Sequence, residues 1–144
     1  MPVPPKELLS LLQDVIPFNK HLGIIVEEAR EGYTRLFLPY RPEYIGDASR
    51  PALHGGVIST LIDTCGGFAV WTQLRIEDRV STIDLRVDYL SPGAAEPLYA
   101  EGTVVRVGNR VGVVDVRCWQ ASAPTRTVAT GKAVYNIKRK EDAP

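Results

Sequence analysis

Metal and thiol chemistry have little to draw on in this chain, whose 144 residues include two cysteines, Cys65 and Cys118, and two histidines, His21 and His54. Four such residues at these separations show no zinc-ligand spacing and no disulfide framework. The expectation is no metal site, with both cysteines buried as small hydrophobes in a reducing cytoplasm. Charge of one sign is also missing, since 17 basic residues balance 17 acidic ones. A neutral chain has no general attraction for nucleic acid or an anionic membrane, so an anionic ligand has to be met by a local cluster of charge. No apolar run approaches the ~18 residues that would suggest a membrane span. The opening Met1-Pro2-Val3-Pro4-Pro5-Lys6 lacks the layout of a signal peptide. No Gly-x-Ser-x-Gly elbow is present, which disfavours a serine hydrolase.

What is there reads as one globular domain over residues 1–144, with 44% apolar and 24% charged residues. Pro5 suits a first helical turn, and Leu8, Leu9, Leu11, Leu12, Val15 and Ile16 recur at helical spacing until Pro17. An amphipathic helix is expected over about 6–16. Ile24-Ile25-Val26 and Tyr33 to Leu38, separated by Gly32, read as a β-hairpin. A long loop from Pro39 to Leu53 follows, of a length that often carries function. From His54 to Gln73 the period turns helical, with a central helix expected over about 55–72. Val57, Ile58, Leu61, Ile62, Cys65, Phe68 and Ala69 make a broad apolar face, and Asp63 is the sole charge between Gly55 and Gln73. A helix apolar nearly all round is a buried one. Four strand-like segments come next. The clearest alternates Ile83, Leu85, Val87 and Tyr89 with Asp84, Arg86 and Asp88; the others run Leu98 to Val107, Val111 to Gln120 and Val128 to Ile137. The order helix, two strands, buried helix, four strands implies an α+β fold in which an antiparallel sheet wraps one long helix.

The segment His54-Gly55-Gly56 through Asp63 to Gly66-Gly67 holds the anomalies. Glycines at a helix start leave N–H groups uncovered at the positive end of the dipole, which suits developing negative charge. Gly66 and Gly67 in mid-helix should cost about 2 kcal/mol together against alanine, so something is expected to approach the helix there. Asp63 is a candidate base or nucleophile, because a buried carboxylate without partners is expensive. The bland alternative is a carboxylate bonded to Thr60, or to a neighbouring chain, for register alone.

His-Gly-Gly followed by an acid seven residues later resembles the hot-dog thioesterases of the phenylacetate-degradation and 4-hydroxybenzoyl-CoA types. The resemblance extends to Pro42-Glu43-Tyr44-Ile45-Gly46 before the motif, to the run from Ser81 to Pro92 after it, and to Ala129 through Tyr135. It covers roughly residues 20 to 137. It implies a hot-dog fold and hydrolysis of an acyl- or aryl-coenzyme A thioester, with coenzyme A as part of the substrate and no cofactor. By motif position, the Gly55 N–H would polarise the thioester carbonyl and Asp63 would activate water or attack. Thr82 would assist, with Ser81 one register away, and His54, Gly56 and Asp47 would lie around the substrate. Relatives often carry an amide in the loop where this chain has Asp47, and His54 reads equally as a structural residue at the helix mouth. Candidate phosphate contacts are Arg106, Arg110, Lys138 and Arg139, each of which is otherwise an ordinary solvated charge.

Geometry adds a constraint. Gly55 and Asp63 are eight residues apart, ~12 Å along a helix, whereas a carbonyl bond is only about 1.2 Å long. One helix cannot bring both groups to one carbonyl, but two antiparallel copies can. A homodimer is therefore expected, and a dimer of dimers with it. Cys65 as nucleophile has no evident base, because His21 lies back in the first strand region. The hydratase-like alternative would need an Asp–His pair that Asp47 and His54 imitate poorly. An acyl-CoA-binding regulator or carrier without turnover remains open, and Asp63 is the residue that separates it from an enzyme. Trp71, Phe68, Tyr89 and Leu53 are either acyl-pocket or core residues.

Overall fold

The computed structural model describes residues 5–142, with side chains over 10–141. Helix α1 (Pro5–Val15) lies against strand β1 (Ile25–Arg30). Leu12 enters the core, but Leu11 and Val15 stay in solvent, so the apolar stripe is only partly covered. The side chains of Leu8 and Leu9, like residues 1–4 and 143–144, lie outside the described residues. Pro17 was expected only to end this helix; it also opens a second one, α2 (Pro17–Leu22). Proline's missing N–H costs nothing at a first helical position, and Gly23, at φ 77°, closes the turn in the left-handed region. His21 therefore sits in a helix rather than in the first strand region.

Strand β1 pairs antiparallel with β2 (Tyr33–Leu38) around Gly32. The long loop is not featureless. It holds a 3-10 turn at Pro42–Tyr44 and two short paired strands, β3 (Ile45–Asp47) and β4 (Ala52–Leu53). Helix α3 (Gly55–Trp71) comes next, then β5 (Arg79–Tyr89), β6 (Leu98–Val107), β7 (Val111–Trp119) and β8 (Ala129–Lys138). Six strands form one antiparallel sheet in the order β1-β2-β6-β7-β8-β5, and α3 packs across it.

Leu61, Ile62, Cys65, Ala69 and Val70 of α3 are sealed against Leu36, Leu98, Ala100, Val114 and Ala133 of the sheet. Burying each larger aliphatic side chain stabilises the fold by about 1.5–3 kcal/mol. Small residues on the sheet let the helix settle this close: a Cβ on Gly131 would stand 2.4 Å from Ile62. The hot-dog arrangement, a sheet wrapped on one buried helix, is thus present.

Strand β5 departs from the expected clean alternation. Its register with β8 slips between Thr82 and Asp84, so Ile83 is the extra residue of a β-bulge. A bulge flips the facing of everything beyond it. Thr82 points at α3 before the slip, while Leu85 and Val87 pack on the core after it, and Ile83 is left 57% exposed.

Candidate active site

Two clefts open along α3, one at its start and one at its middle. The first, about 460 Å³, is bounded by the β3–β4 loop, the helix mouth and the segment after β5. His54 caps the helix: its Nδ1 accepts the Gly56 N–H at 2.8 Å. Its own N–H donates to the Tyr44 carbonyl and the Leu53 N–H to that of Gly93, both at 2.8 Å, which ties the cleft walls to the helix mouth. The Gly56 N–H is spent on this cap, so it is not free for a substrate. Among the described residues no acceptor takes the Gly55 N–H. It is left where a helix start presents unpaired donors and a positive dipole end. Tyr89 closes over it, with its hydroxyl donating to the Gly55 carbonyl at 3.0 Å.

Asp47 lines the same cleft but is held by its own loop. Its carboxylate accepts from the Ser49 hydroxyl at 2.6 Å, the Ser49 N–H at 3.0 Å and Arg50 Nε at 3.1 Å. These bonds, the Ser49 hydroxyl foremost, lower its pKa to about 2.

The second cleft, about 220 Å³, holds Asp63. Asp63 is half-buried rather than fully buried, and Thr82 Oγ1 donates to its Oδ1 at 2.7 Å. Among the described residues no cation pairs with it. Thr60 is not its partner, because the Thr60 hydroxyl donates to the Gly56 carbonyl at 2.7 Å. The structure therefore brings Asp63 and Thr82 together. Ser81, exposed and paired with Asn136 across the ladder, is not part of the group.

The mid-helix glycines were expected to admit something close to the helix, and at Gly66 that group is Tyr135 of the same chain. A Cβ on Gly66 would stand 2.3 Å from the Tyr135 hydroxyl oxygen, and that hydroxyl donates to the Asp63 carbonyl at 2.6 Å. Burial, followed by the nearby Asp63 charge, raises the Tyr135 pKa, so the phenol keeps its proton.

Cys65 is excluded as a nucleophile. It is fully buried against Thr34, and burial pushes its thiol up to about 12. The four pocket aromatics and aliphatics divide, with Leu53 and Tyr89 in the first cleft and Phe68 and Trp71 in the second. Arg106 and Arg110 share a third cleft of about 390 Å³ at the β6–β7 turn. Arg139 is engaged elsewhere: it donates to the Gly108 and Asn109 carbonyls at 2.9 and 3.2 Å and faces buried Asp78 at 3.7 Å. Lys138 is exposed on β8 opposite Arg79.

Sequence reasoning missed the positioning roles of Tyr135 and Tyr89. Tyr89 was legible as the last apolar residue of an alternating strand and as an acyl-pocket or core residue, but not as the group that bonds the Gly55 carbonyl. Its side of the sheet depends on the bulge, which strand periodicity does not announce.

Comparison with known proteins agrees with this layout. The model of the thioesterase superfamily matches residues 51–125. A putative esterase of Halobacterium salinarum is 38% identical over 125 residues, 82% of this chain and 82% of that protein. The medium/long-chain acyl-CoA thioesterase YigI of Escherichia coli is 35% identical over 114 residues, 70% of this chain and 74% of that one. An X-ray structure of a protein from the thioesterase superfamily superposes with a TM-score of 0.86 at 32% identity, covering 94% of this chain and 100% of that one.

Proposed function

The chain belongs to the thioesterase superfamily, and from that premise we propose that it hydrolyses acyl- or aryl-coenzyme A thioesters in a site shared by two copies. The observation that carries the reading is the division of the chemistry between two clefts of one protomer. The free Gly55 N–H lies in one, and the Asp63 carboxylate, bonded by Thr82, lies in the other. Each cleft is half of a hydrolytic site. A two-fold pairing with antiparallel α3 helices sets the Gly55 of one protomer beside Asp63 of the partner subunit, and forms two sites.

The exposed edge of the sheet supports this. Strand β5 is 11 residues long and, among the described residues, pairs only with β8. Ile83, Tyr89 and Leu90 are 57%, 54% and 61% exposed on or next to it. An edge strand of this length offers a row of unpaired N–H and C=O groups as a template for a second chain, and a second copy of the same edge fits it.

In the assembled site the Gly55 N–H and the helix dipole stabilise the oxygen of the thioester carbonyl as charge develops there. Asp63 of the partner subunit takes a proton from water as it adds, or adds to the carbonyl carbon itself. Thr82, by donating to Oδ1, turns Oδ2 toward the reacting carbon. When water adds, the C–S bond breaks and the proton held by Asp63 passes to the leaving sulfur, so coenzyme A departs as its thiol and the acid is released. When Asp63 adds, C–S cleavage leaves the acyl group on Asp63 as an anhydride. Water then hydrolyses it, restoring the carboxylate, releasing the acid and supplying the proton that the thiolate takes up. Arg106 and Arg110 are the phosphate contacts best placed to act together. Free, buried Cys65 and Cys118 suit the reducing cytoplasm that this reading expects.

Mixing subunits tests the proposal. Asp63→Asn chains are combined with chains whose Gly55 cleft is blocked by Ala52→Trp, and sedimentation reports whether dimers or dimers of dimers form. Two inactive parents should regain up to half of wild-type activity, because each heterodimer has one site with both halves intact. Verified heterodimers without recovery would mean that each chain carries a complete site. Tight acyl-CoA binding with no turnover by the wild type would instead favour a carrier.

A further inference from the structure

Of the two neighbouring glycines in α3, only Gly66 has a packing reason within its own protomer. Gly66 is required by Tyr135, whose hydroxyl occupies the space of a side chain. At Gly67 a Cβ would meet Tyr135 Cε1 at 3.5 Å and Cζ at 4.0 Å, which is ordinary contact. Glycine inside a helix is less stable than alanine, so a glycine with room for a methyl group marks a place where the empty space has a use.

That space lies in the Asp63 cleft, which Gly67 lines together with Ile16, Phe68, Trp71 and Val80. Gly67 follows Asp63 by four residues and Trp71 follows Gly67 by four. Residues four apart stand on one face of a helix, so the three form a row of ~12 Å from end to end. Asn19 and Thr64 are the further polar members of the cleft beside Asp63, Thr82 and Tyr135.

We propose that Gly67 is the floor of a groove for a linear acyl chain running from Asp63 to Trp71, and that the missing side chain sets the chain length accepted. This rests on the thioesterase reading of the same cleft. Each C–C bond of ~1.5 Å advances a chain by no more than its own length, so the row spans at least about eight carbons. The wall beside Gly67, made by Phe68, Trp71 and Val80, is apolar and suits hydrocarbon better than the amide-bearing pantetheine arm of coenzyme A. The chemistry that matches is a medium-chain aliphatic acyl group.

Rates on a series from acetyl- to palmitoyl-CoA test this. Gly67→Val should lower kcat/KM for decanoyl-CoA relative to acetyl-CoA by about tenfold or more, the usual penalty for lost room in an apolar pocket. Gly67→Ala should move the profile the same way by less, with a melting temperature at or above that of the wild type. Trp71→Leu should shift the optimum to longer chains. An unchanged profile, or an equal loss at every chain length, overturns the proposal; the equal loss would assign the groove to the coenzyme A arm. If the wild type turns over no thioester, the enzymatic reading fails by itself. Calorimetric binding of the same series then decides the groove separately. Chain-length discrimination in Kd that Gly67→Ala and Gly67→Val weaken sustains it, and discrimination they leave intact overturns it.

Discussion

In the proposed site the two clefts along α3 serve one carbonyl in opposite ways. At the helix mouth the working group is a backbone N–H, and side chains only hold the backbone in place: His54 caps, Tyr89 bonds the Gly55 carbonyl, and Asp47 is locked within its own loop. At mid-helix the working group is the Asp63 side chain, held at its carboxylate by Thr82 and at its carbonyl by Tyr135. A backbone donor survives every substitution of its own residue except proline and is otherwise only crowded or tilted, whereas a carboxylate is deleted by most changes. Mutations should therefore act sharply at mid-helix and gradually at the mouth.

The largest effect is expected at Asp63. Asp63→Asn should lower kcat by about 10²–10⁴, the range for losing a positioned acid or base, with circular dichroism and melting temperature near wild type. Near-normal turnover would take Asp63 out of the reaction and end the contrast. Thr82→Val comes next. A hydrogen bond to a charged group is worth about 1.5–3 kcal/mol, so kcat should fall about tenfold or more while KM changes little. A change confined to KM would make Thr82 a substrate contact rather than the group that orients Asp63.

At the helix mouth Tyr89→Phe removes one neutral hydrogen bond, worth about 0.5–1.5 kcal/mol, and should reduce kcat/KM by only about two- to tenfold. A loss as large as that of Asp63→Asn would show that the mouth depends on a side chain after all. Asp47 should matter least to turnover. Its pKa of about 2 lies below its ordinary value of 3.8, so the unfolded chain takes up the proton first as pH falls. The stabilisation is full above the ordinary value and is lost as pH drops toward the folded value. Asp47→Asn should therefore leave the shape of the kcat/KM profile unchanged between about pH 5 and 9. The stability gap between variant and wild type should close below about pH 4. A new inflection near neutrality would show that Asp47 titrates as part of the site.

Much of this architecture was legible in the chain. Asp63 was conspicuous as one charge in a long apolar helix, and Gly55 as a glycine at a helix start. Thr82 came from resemblance, and the structure places it on Asp63. The loop before α3 was less legible, because its short strands and 3-10 turn are held by long-range backbone bonds such as His54 to Tyr44 and Leu53 to Gly93. Arg139 read as a free cation until the fold brought Asp78 and the Gly108 carbonyl to it.

By itself the sequence determined the buried helix, the strand alternation and the place of the carboxylate, because periodicity and composition are local properties that the chain carries anywhere. Only the tertiary structure decided which face of β5 meets α3. The bulge at Ile83 exists in the pairing of β5 with β8, and it is this slip that allows both Thr82 and Tyr89 to reach the helix. The same holds for the paired glycines. Gly66 is answered by Tyr135, distant in sequence, and Gly67 by open space, a difference that arises only when a sheet closes on a helix.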